Sequence, residues 1–293
     1  MTTDTFSTYN PLITFLFFIG AIVYGVIYLH PVFLLCGLLL SAAYYITIRR
    51  REAWRLLVGV IPLFVLLSLL NPLFNTGGTR ILFTWWGGRP YTLEALFYGT
   101  AIAAMVVLVF FWFGCYNAVM TSDKFIYLFG RMIPGLSMIL TMILRLLPSF
   151  RRKTAEIMTA RKCIGQAGGS KKERLQQGMT VLSVLTSWAL EGGIIAADSM
   201  QSRGYGSGSR TSFSIYRFEN RDKLLLGVLA ALMAVILYCG LHGGMRAAYT
   251  PELMIAGNSY TLAGSIAYAL FLVIPTTLNI MEAVKWHILR SRI

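Results

Sequence analysis

The chain has 293 residues, of which 56% are hydrophobic and only 13% charged, and its mean hydropathy is +0.65. A soluble domain carries about 25% charged residues, so the composition excludes a freely soluble globule, a disordered chain and a disulfide scaffold, and leaves a multi-span membrane protein. The net charge of +14, from 26 Lys and Arg against 12 Asp and Glu, points in a membrane protein to cytoplasmic loops beside anionic lipid rather than to nucleic acid.

The first ten residues contain no Lys or Arg. They lack the basic start of a cleaved signal peptide, so the first apolar run is expected to be kept. About 20 apolar residues cross a ~30 Å hydrocarbon core as a helix. Long runs without alternation predict helices rather than barrel strands. Such runs are Ile13–Leu29, ended by His30-Pro31; Val32–Ile48, ended by Arg49-Arg50-Arg51; Leu56–Leu70, ended by Asn71-Pro72; Leu93–Gly114; Leu224–Leu241; and Leu262–Met281. With the N-terminus inside, 23 of the 26 basic residues fall on the inner side, and Arg80, Arg89 and Arg246 fall outside. This asymmetry predicts cytoplasmic N- and C-termini. Trp85, Trp86, Tyr91 and Tyr260 in the outer loops suit interfacial anchors.

The middle differs. Met132–Phe150 is apolar but contains Pro134, Arg145 and Pro148, and Met179–Ser199 contains Glu191 and Asp198. Between them, residues 151–177 carry eight Lys or Arg. The expected fold is an all-α integral membrane protein with about six transmembrane helices: a four-span region (1–114), a cytoplasmic-side coupling subdomain of long amphipathic helices (115–221) and a two-span region (222–293). Two ordinary spans joined by an outer loop are the alternative for the middle, but would place Arg151–Arg174 outside.

Chemistry is concentrated in two arginines where helical patterns give way to glycine. Arg161 follows Ala160 and precedes Lys162, with Gly165, Gly168 and Gly169 beyond; Arg203 lies in Ser202-Arg203-Gly204-Tyr205-Gly206. Each can simply cap a helix, a cation in the last turn opposing the helix dipole. Each can instead fork onto a carboxylate of another protein. The pattern occurs twice on successive helices, which suits a partner with two similar halves. Arg145 in an apolar helix is expected to pair with Glu191 or Asp198, which lie seven residues apart on one face, or else to snorkel to the headgroups. Gly192, Ala196 and Ser199 allow close helix approach and form a weak candidate interface; Gly99 with Ala103 and Gly227 with Ala231 have the same spacing. The methionines Met132, Met138, Met142, Met158, Met179 and Met200 suit either an adaptable surface or core filling. Cys36, Cys115, Cys163 and Cys239 are isolated, as are His30, His242 and His287, so no metal site is expected.

Leu144-Arg145-Leu146-Leu147-Pro148, Ala160-Arg161 and Ser202-Arg203-Gly204-Tyr205 with Arg210-Thr211 resemble the transmembrane T component of energy-coupling factor (ECF) transporters. Asn71-Pro72-Leu73-Phe74, Gly78-Thr79, Leu82-Phe83, Thr92-Leu93-Glu94-Ala95-Leu96 and Thr121 resemble that family too. The likeness covers roughly residues 55 to 215 by motif. It implies a scaffold in a prokaryotic plasma membrane whose Ala-Arg-Gly motifs, here Ala160-Arg161 and Ser202-Arg203-Gly204, dock into two ABC ATPases. It also implies a small membrane-embedded S component that binds a vitamin or transition-metal ion. ATP and Mg would belong to the ATPases, with no cofactor in this chain. Ser202 stands where the family has Ala, and Lys162 stands where it has Gly, so the first helix is expected to run on towards Gly165.

The chain has no GxxxxGK[ST] loop, and Gly204–Gly208 reads as a helix exit, so an enzyme is not expected. Rival readings are a stand-alone secondary transporter and a conventional ABC permease subunit. Glu94 is the only acidic residue in the first four spans as drawn and lies near the outer surface. An intramembrane enzyme lacks a Ser-His, HExxH or paired-carboxylate constellation.

Overall fold

The computed structural model describes residues 4–75, 77–85, 89–130, 134–164, 171–208, 216, 218–245, 247–249, 253–255 and 257–290. Trp86, Met132, Gly165, Gly168, Gly169, Arg210, Thr211 and Arg246 lie outside the described residues. The chain divides into two compact units, Met1–Phe125 with Tyr216–Ile293, and Ile126–Ile215.

The first unit opens with a 3-10 turn, Thr5–Thr8, followed by α1 (Pro11–Ile27), α2 (Pro31–Ile48), α3 (Arg50–Phe74) and α4 (Leu93–Val119). α5 (Ser122–Gly130) follows, and the chain returns through α8 (Asn220–Leu241) and α9 (Ser259–Arg290). Pro11 and Pro31 occupy first-turn positions, where the missing N–H costs nothing. Asn10 caps α1 by accepting from Leu12 N at 3.1 Å. Glu219 and Asp222 form a reciprocal capping box at the start of α8.

α4 packs on α1, α2 and α3, and α9 packs on α2 and α8, so the N-terminal and C-terminal helices share one core. Its centre is aromatic. Phe17 stacks on Phe271 at 5.0 Å and meets Trp112 edge-on at 5.6 Å and Phe6 at 5.2 Å. The outward faces carry exposed Leu35, Leu39, Leu66, Leu69, Leu237 and Leu270, as lipid-facing helices do. Among the described residues, six helices are long and apolar enough to cross a membrane, the last of them α9, and the protein is an all-α membrane protein. Those six include α7 (Lys171–Ser202), which the sequence reading kept at the inner surface, whereas α1, with 17 residues, spans only about 25 Å.

The third helix does not stop at Asn71-Pro72. α3 runs through Pro62 and Pro72 to Phe74. A helical proline leaves the carbonyl four residues earlier without its N–H partner; for Pro72 that carbonyl belongs to Ser68. α4 crosses here at Gly99, where a β-carbon would lie 2.7 Å from Ser68 O and 2.9 Å from Asn71 Cβ. The small pair Gly99 and Ala103 thus serves packing within the chain.

Two short hairpins occupy connections expected to be loops. β1 (Ile81–Trp85) pairs antiparallel with β2 (Arg89–Thr92), and β3 (Ala247–Ala248) with β4 (Met254–Ile255). Ile81-Leu82-Phe83-Thr84-Trp85, followed closely by Gly87-Gly88, carried the hairpin signal. Below β1, Glu94 at the start of α4 accepts from Arg80 N at 3.2 Å and from Thr79 Oγ1 at 3.2 Å, and Thr92 Oγ1 donates to Gly77 O at 3.1 Å. Gly78 has φ +150°, and a β-carbon there would meet the Glu94 carboxylate at 2.6 Å. Gly78-Thr79 and Thr92-Leu93-Glu94 of the sequence resemblance therefore meet in one hydrogen-bonded turn, and Glu94 closes it.

A buried polar group joins the N-terminal turn to the bundle. Tyr44 Oη donates to Asp4 Oδ2 at 3.1 Å, Asn279 Nδ2 donates to Asp4 Oδ1, and Asn279 Oδ1 accepts from Thr5 N at 2.8 Å. Burial pushes the Asp4 carboxyl up, against the hydrogen bonds from Asn279 and Tyr44 and the charge of Lys124. Burial likewise pushes the Lys124 ammonium down, against the charge of Asp4.

Replacing Gly99 by Ala is expected to destabilise the first unit by about 1–3 kcal/mol, since the obstruction is backbone and cannot rotate away. Thermal unfolding of the purified protein in detergent should show a lower midpoint. The same change at Gly227, where a β-carbon meets nothing within 4 Å, should leave the midpoint in place.

Candidate functional site

The second unit holds α6 (Pro134–Cys163) and α7 (Lys171–Ser202). The helices run antiparallel. Phe150 meets Trp188 edge-on at 5.4 Å, and eleven residues on, Arg161 Nη1 donates to Gln177 O at 3.3 Å. Eleven residues forward on one helix match eleven backward on the other, so these contacts define one register. Less exposed positions follow it, among them half-buried Phe150, Thr154, Ile157 and Arg161 on α6, and half-buried Gln177, Leu185 and Trp188 with buried Val181 on α7. Both stripes have the spacing of a single helix face. Val181 is the only buried residue that α7 shows.

The two arginines occupy different local settings. Arg161 lies inside the last turn of α6, which continues through Lys162 to Cys163, as the substitution of Lys for Gly predicts. It is half-buried and tied to the α7 backbone through Gln177, while Ala160 beside it is exposed. Arg203 is the residue immediately after α7. Tyr205 N donates to Met200 O at 3.0 Å and Gly204 N to Gln201 O at 3.0 Å. With Gly204 at φ +80°, this is a Schellman closure, and the glycine occupies the left-handed position that other residues avoid. Ser202 Oγ donates to Ser199 O at 2.9 Å. Arg203 is exposed, and among the described residues its side chain makes no hydrogen bond or ion pair. The glycine-rich run after it thus leaves a helix rather than opening one, with Ser207 N turned back onto Gly204 O at 3.2 Å.

The register also separates the arginines. Arg161 is level with Gln177, and Arg203 lies 26 residues further along α7, a rise of about 39 Å. The antiparallel pair therefore presents one guanidinium towards each of its ends.

The structure does not join Arg145 to Glu191 or Asp198. All three are exposed, and among the described residues no ion pair links them. Arg145 is near the right height, but it stands five residues before Phe150, about 140° round the helix from the face that meets α7. Matching height along the helices was legible in the sequence; the facing direction was not. Gly192 and Ala196 are exposed and Ser199 is half-buried, and a β-carbon at Gly192 or Gly193 would meet nothing within 4 Å. Leu182, Leu190, Ile194 and Ile195 of α7 are exposed as well, and at 100° per residue these apolar positions are spread round the helix rather than along one face. Among the described residues no cluster of three or more His, Cys, Asp or Glu side chains gathers as a metal site would.

No protein-family model matches the chain. It is 25% identical over 208 residues to the energy-coupling factor transporter transmembrane protein EcfT of Staphylococcus aureus, covering 66% of this chain and 77% of the relative. It is 24% identical over 214 residues to the protein of the same name from Lactobacillus helveticus, covering 67% and 74%. The chain is thus similar to transmembrane T components of ECF transporters. These similarities, over two thirds of the chain, point to the same family as the T-component resemblance of the sequence motifs, and with the candidate spans they support a multi-pass membrane transport protein.

Replacing Gly204 by Ala forces a β-carbon into the left-handed region, at a cost of about 1–2 kcal/mol. Hydrogen exchange at the Tyr205 amide is expected to accelerate roughly tenfold, because that N–H closes the Schellman bond. The Gln177 region should exchange as before.

Proposed function

We propose that this chain is the energy-coupling component of an ECF-type importer, linking ATP hydrolysis in two separate ABC ATPases to movement of a small membrane-embedded S component that carries a vitamin or transition-metal ion. The observation that carries the reading is the antiparallel α6–α7 pair with Arg161 and Arg203 towards opposite ends. Two docking points about 39 Å apart suit two ATPase subunits side by side better than one. ATP would bring the ATPases together, their grooves would carry the arginines inward, and the rigid helices would pass on the displacement as a rigid-body shift. ATP and Mg belong to the ATPases in this reading. The inner-side concentration of Lys and Arg supports cytoplasmic N- and C-termini and a cytoplasmic coupling unit.

The different settings of the arginines assign them different loads. Arg203, exposed beyond the closed end of α7, is free to fork onto a partner carboxylate. Arg161 is already bonded to Gln177, so its docking draws on a group that also braces the hairpin. The exposed stripe of Gly192, Ala196 and half-buried Ser199 on α7 suits the S component, because small residues permit the close approach on which association within lipid depends.

Affinity purification from native membranes is expected to recover two ATPase chains and a small hydrophobic protein. Arg203→Ala should weaken ATPase retention by about 2–3 kcal/mol, roughly 30- to 150-fold in affinity, with the helix content of the chain unchanged. Arg203→Lys should fall between, keeping the charge but not the fork. Arg161→Ala should weaken retention and also lower the unfolding midpoint of the hairpin. Full ATPase retention and ATP-driven uptake in the double variant would defeat the docking assignment.

A further inference from the structure

On one side of the first unit α2, α3 and α4 do not close on one another. They leave a groove of about 260 Å³, lined by Leu34 of α2, by Ala101 and Ala104 of α4 and by Phe64 of α3. Phe64 lies one turn further in than Ser68, which meets Gly99 of α4. Leu34 and Ala101 are buried, whereas Leu35 and Phe97 at the rim are 60% and 48% exposed, so the groove opens onto the lipid-facing surface of the bundle and is continuous with it. We propose that the groove holds one acyl chain of a membrane phospholipid as a resident, drawn from the leaflet at the β1–β2 end.

The chemistry of the wall selects hydrocarbon. No charged side chain lines the groove, and its two hydroxyl groups are already engaged within the chain. Thr100 Oγ1 donates to Phe97 O at 2.8 Å, and Tyr249 Oη donates to Leu29 O at 2.6 Å. Both hydroxyl protons are thus spent on backbone carbonyls. A water, a sugar or a peptide backbone in the groove would give up hydrogen bonds without replacement, a cost that an acyl chain does not carry.

The dimensions select the same occupant. The groove runs from Pro31 to Leu38 on α2 and from Phe97 to Ala104 on α4, seven residues of helical rise on each, or about 10 Å. It begins at the first residue of α2, where Tyr249 is bonded beside it to Leu29, as an interfacial tyrosine would be. It ends within the ~15 Å depth of one leaflet. A helix with its side chains is about 10–12 Å across, too wide to enter a slot of this volume. On a flat helix face an acyl chain touches protein on one side; here three helices surround it. An empty groove would leave Leu34, Ala101 and Phe64 without partner atoms on one side, and a chain lying in it restores those dispersion contacts. The inference goes beyond the coupling reading and does not rest on it.

The probe is a phosphatidylglycerol with a diazirine on its acyl chain, incubated with the full chain and whatever proteins co-purify with it. The sample is washed with detergent, irradiated, and its labelled peptides are quantified by mass spectrometry. Label on the Pro31–Leu38 and Phe97–Ala104 segments is expected to persist through washes that strip it from exposed Leu237 of α8, and to saturate at a single probe per chain. Ala104→Phe, which fills the groove, should cut the retained label roughly fivefold. Ala231→Phe, at an exposed position of α8, should leave it in place. Groove label that washes away together with that at Leu237, or that survives Ala104→Phe, overturns the proposal. If Ala104→Phe does not fold, Leu35→Ala with Phe97→Ala lowers both rims instead; retained label should then fall about twofold, and an unchanged amount is decisive against the proposal. Label that enters the groove only after co-purifying proteins are removed, or a dimer that Ala104→Phe makes monomeric, would put a protein there and overturn it as well.

Discussion

A helix in hydrocarbon gains nothing by burying a leucine against another helix, because lipid is as apolar as the protein interior. That constraint orders the whole first unit. Its cohesion comes from fits that lipid cannot supply: the backbone approach at Gly99, the aromatic packing of Phe17, Trp112 and Phe271, and polar groups that find partners only inside the protein. Many other apolar side chains, such as Leu35, Leu39, Leu66 and Leu270, face outwards and serve as solvent-facing residues do in water. The buried hydrogen bonds of Asp4, Tyr44, Asn279 and Lys124 matter for the same reason, since each of these groups has no good alternative in an apolar surrounding.

The second unit obeys a different balance. α6 and α7 touch along one narrow stripe and leave most of their surface open. Sparse contact gives a thin, long element whose ends are far apart, with exposed apolar residues spread along α7. Such an element is poorly suited to stand alone and well suited to be gripped by other proteins. The hydrogen bond from Arg161 to Gln177 and the Schellman closure at Gly204 fix the two ends by different means. The two arginines, alike as sequence motifs, therefore stand in unlike surroundings, one braced and one open.

The apparent conflict between charge and span length at α7 has a physical source. Its 32 residues include a window apolar enough to cross a membrane, yet its first four residues are Lys171-Lys172-Glu173-Arg174 and its later half carries Glu191 and Asp198. Hydropathy averaged over a window does not register where charge lies on the helix.

The sequence by itself determined the membrane class, the positions of α1, α2, α4 and α8 to within about five residues, the start but not the end of α9, which runs on from Met281 to Arg290, the glycine that ends α7 and the continuation of α6 past Lys162. These depend on local properties: run length, first-turn prolines, and the left-handed freedom of a glycine. Only the tertiary structure decided that α3 passes through Pro72, because its packing against Gly99 offsets the lost hydrogen bond. The same holds for Arg145, which faces away from α7 and makes no pair with Glu191 or Asp198, and for Lys124, which is buried against Ser7. Each of these turns on which direction a side chain faces, or on a partner more than a hundred residues away, and neither is encoded in the spacing of neighbouring residues.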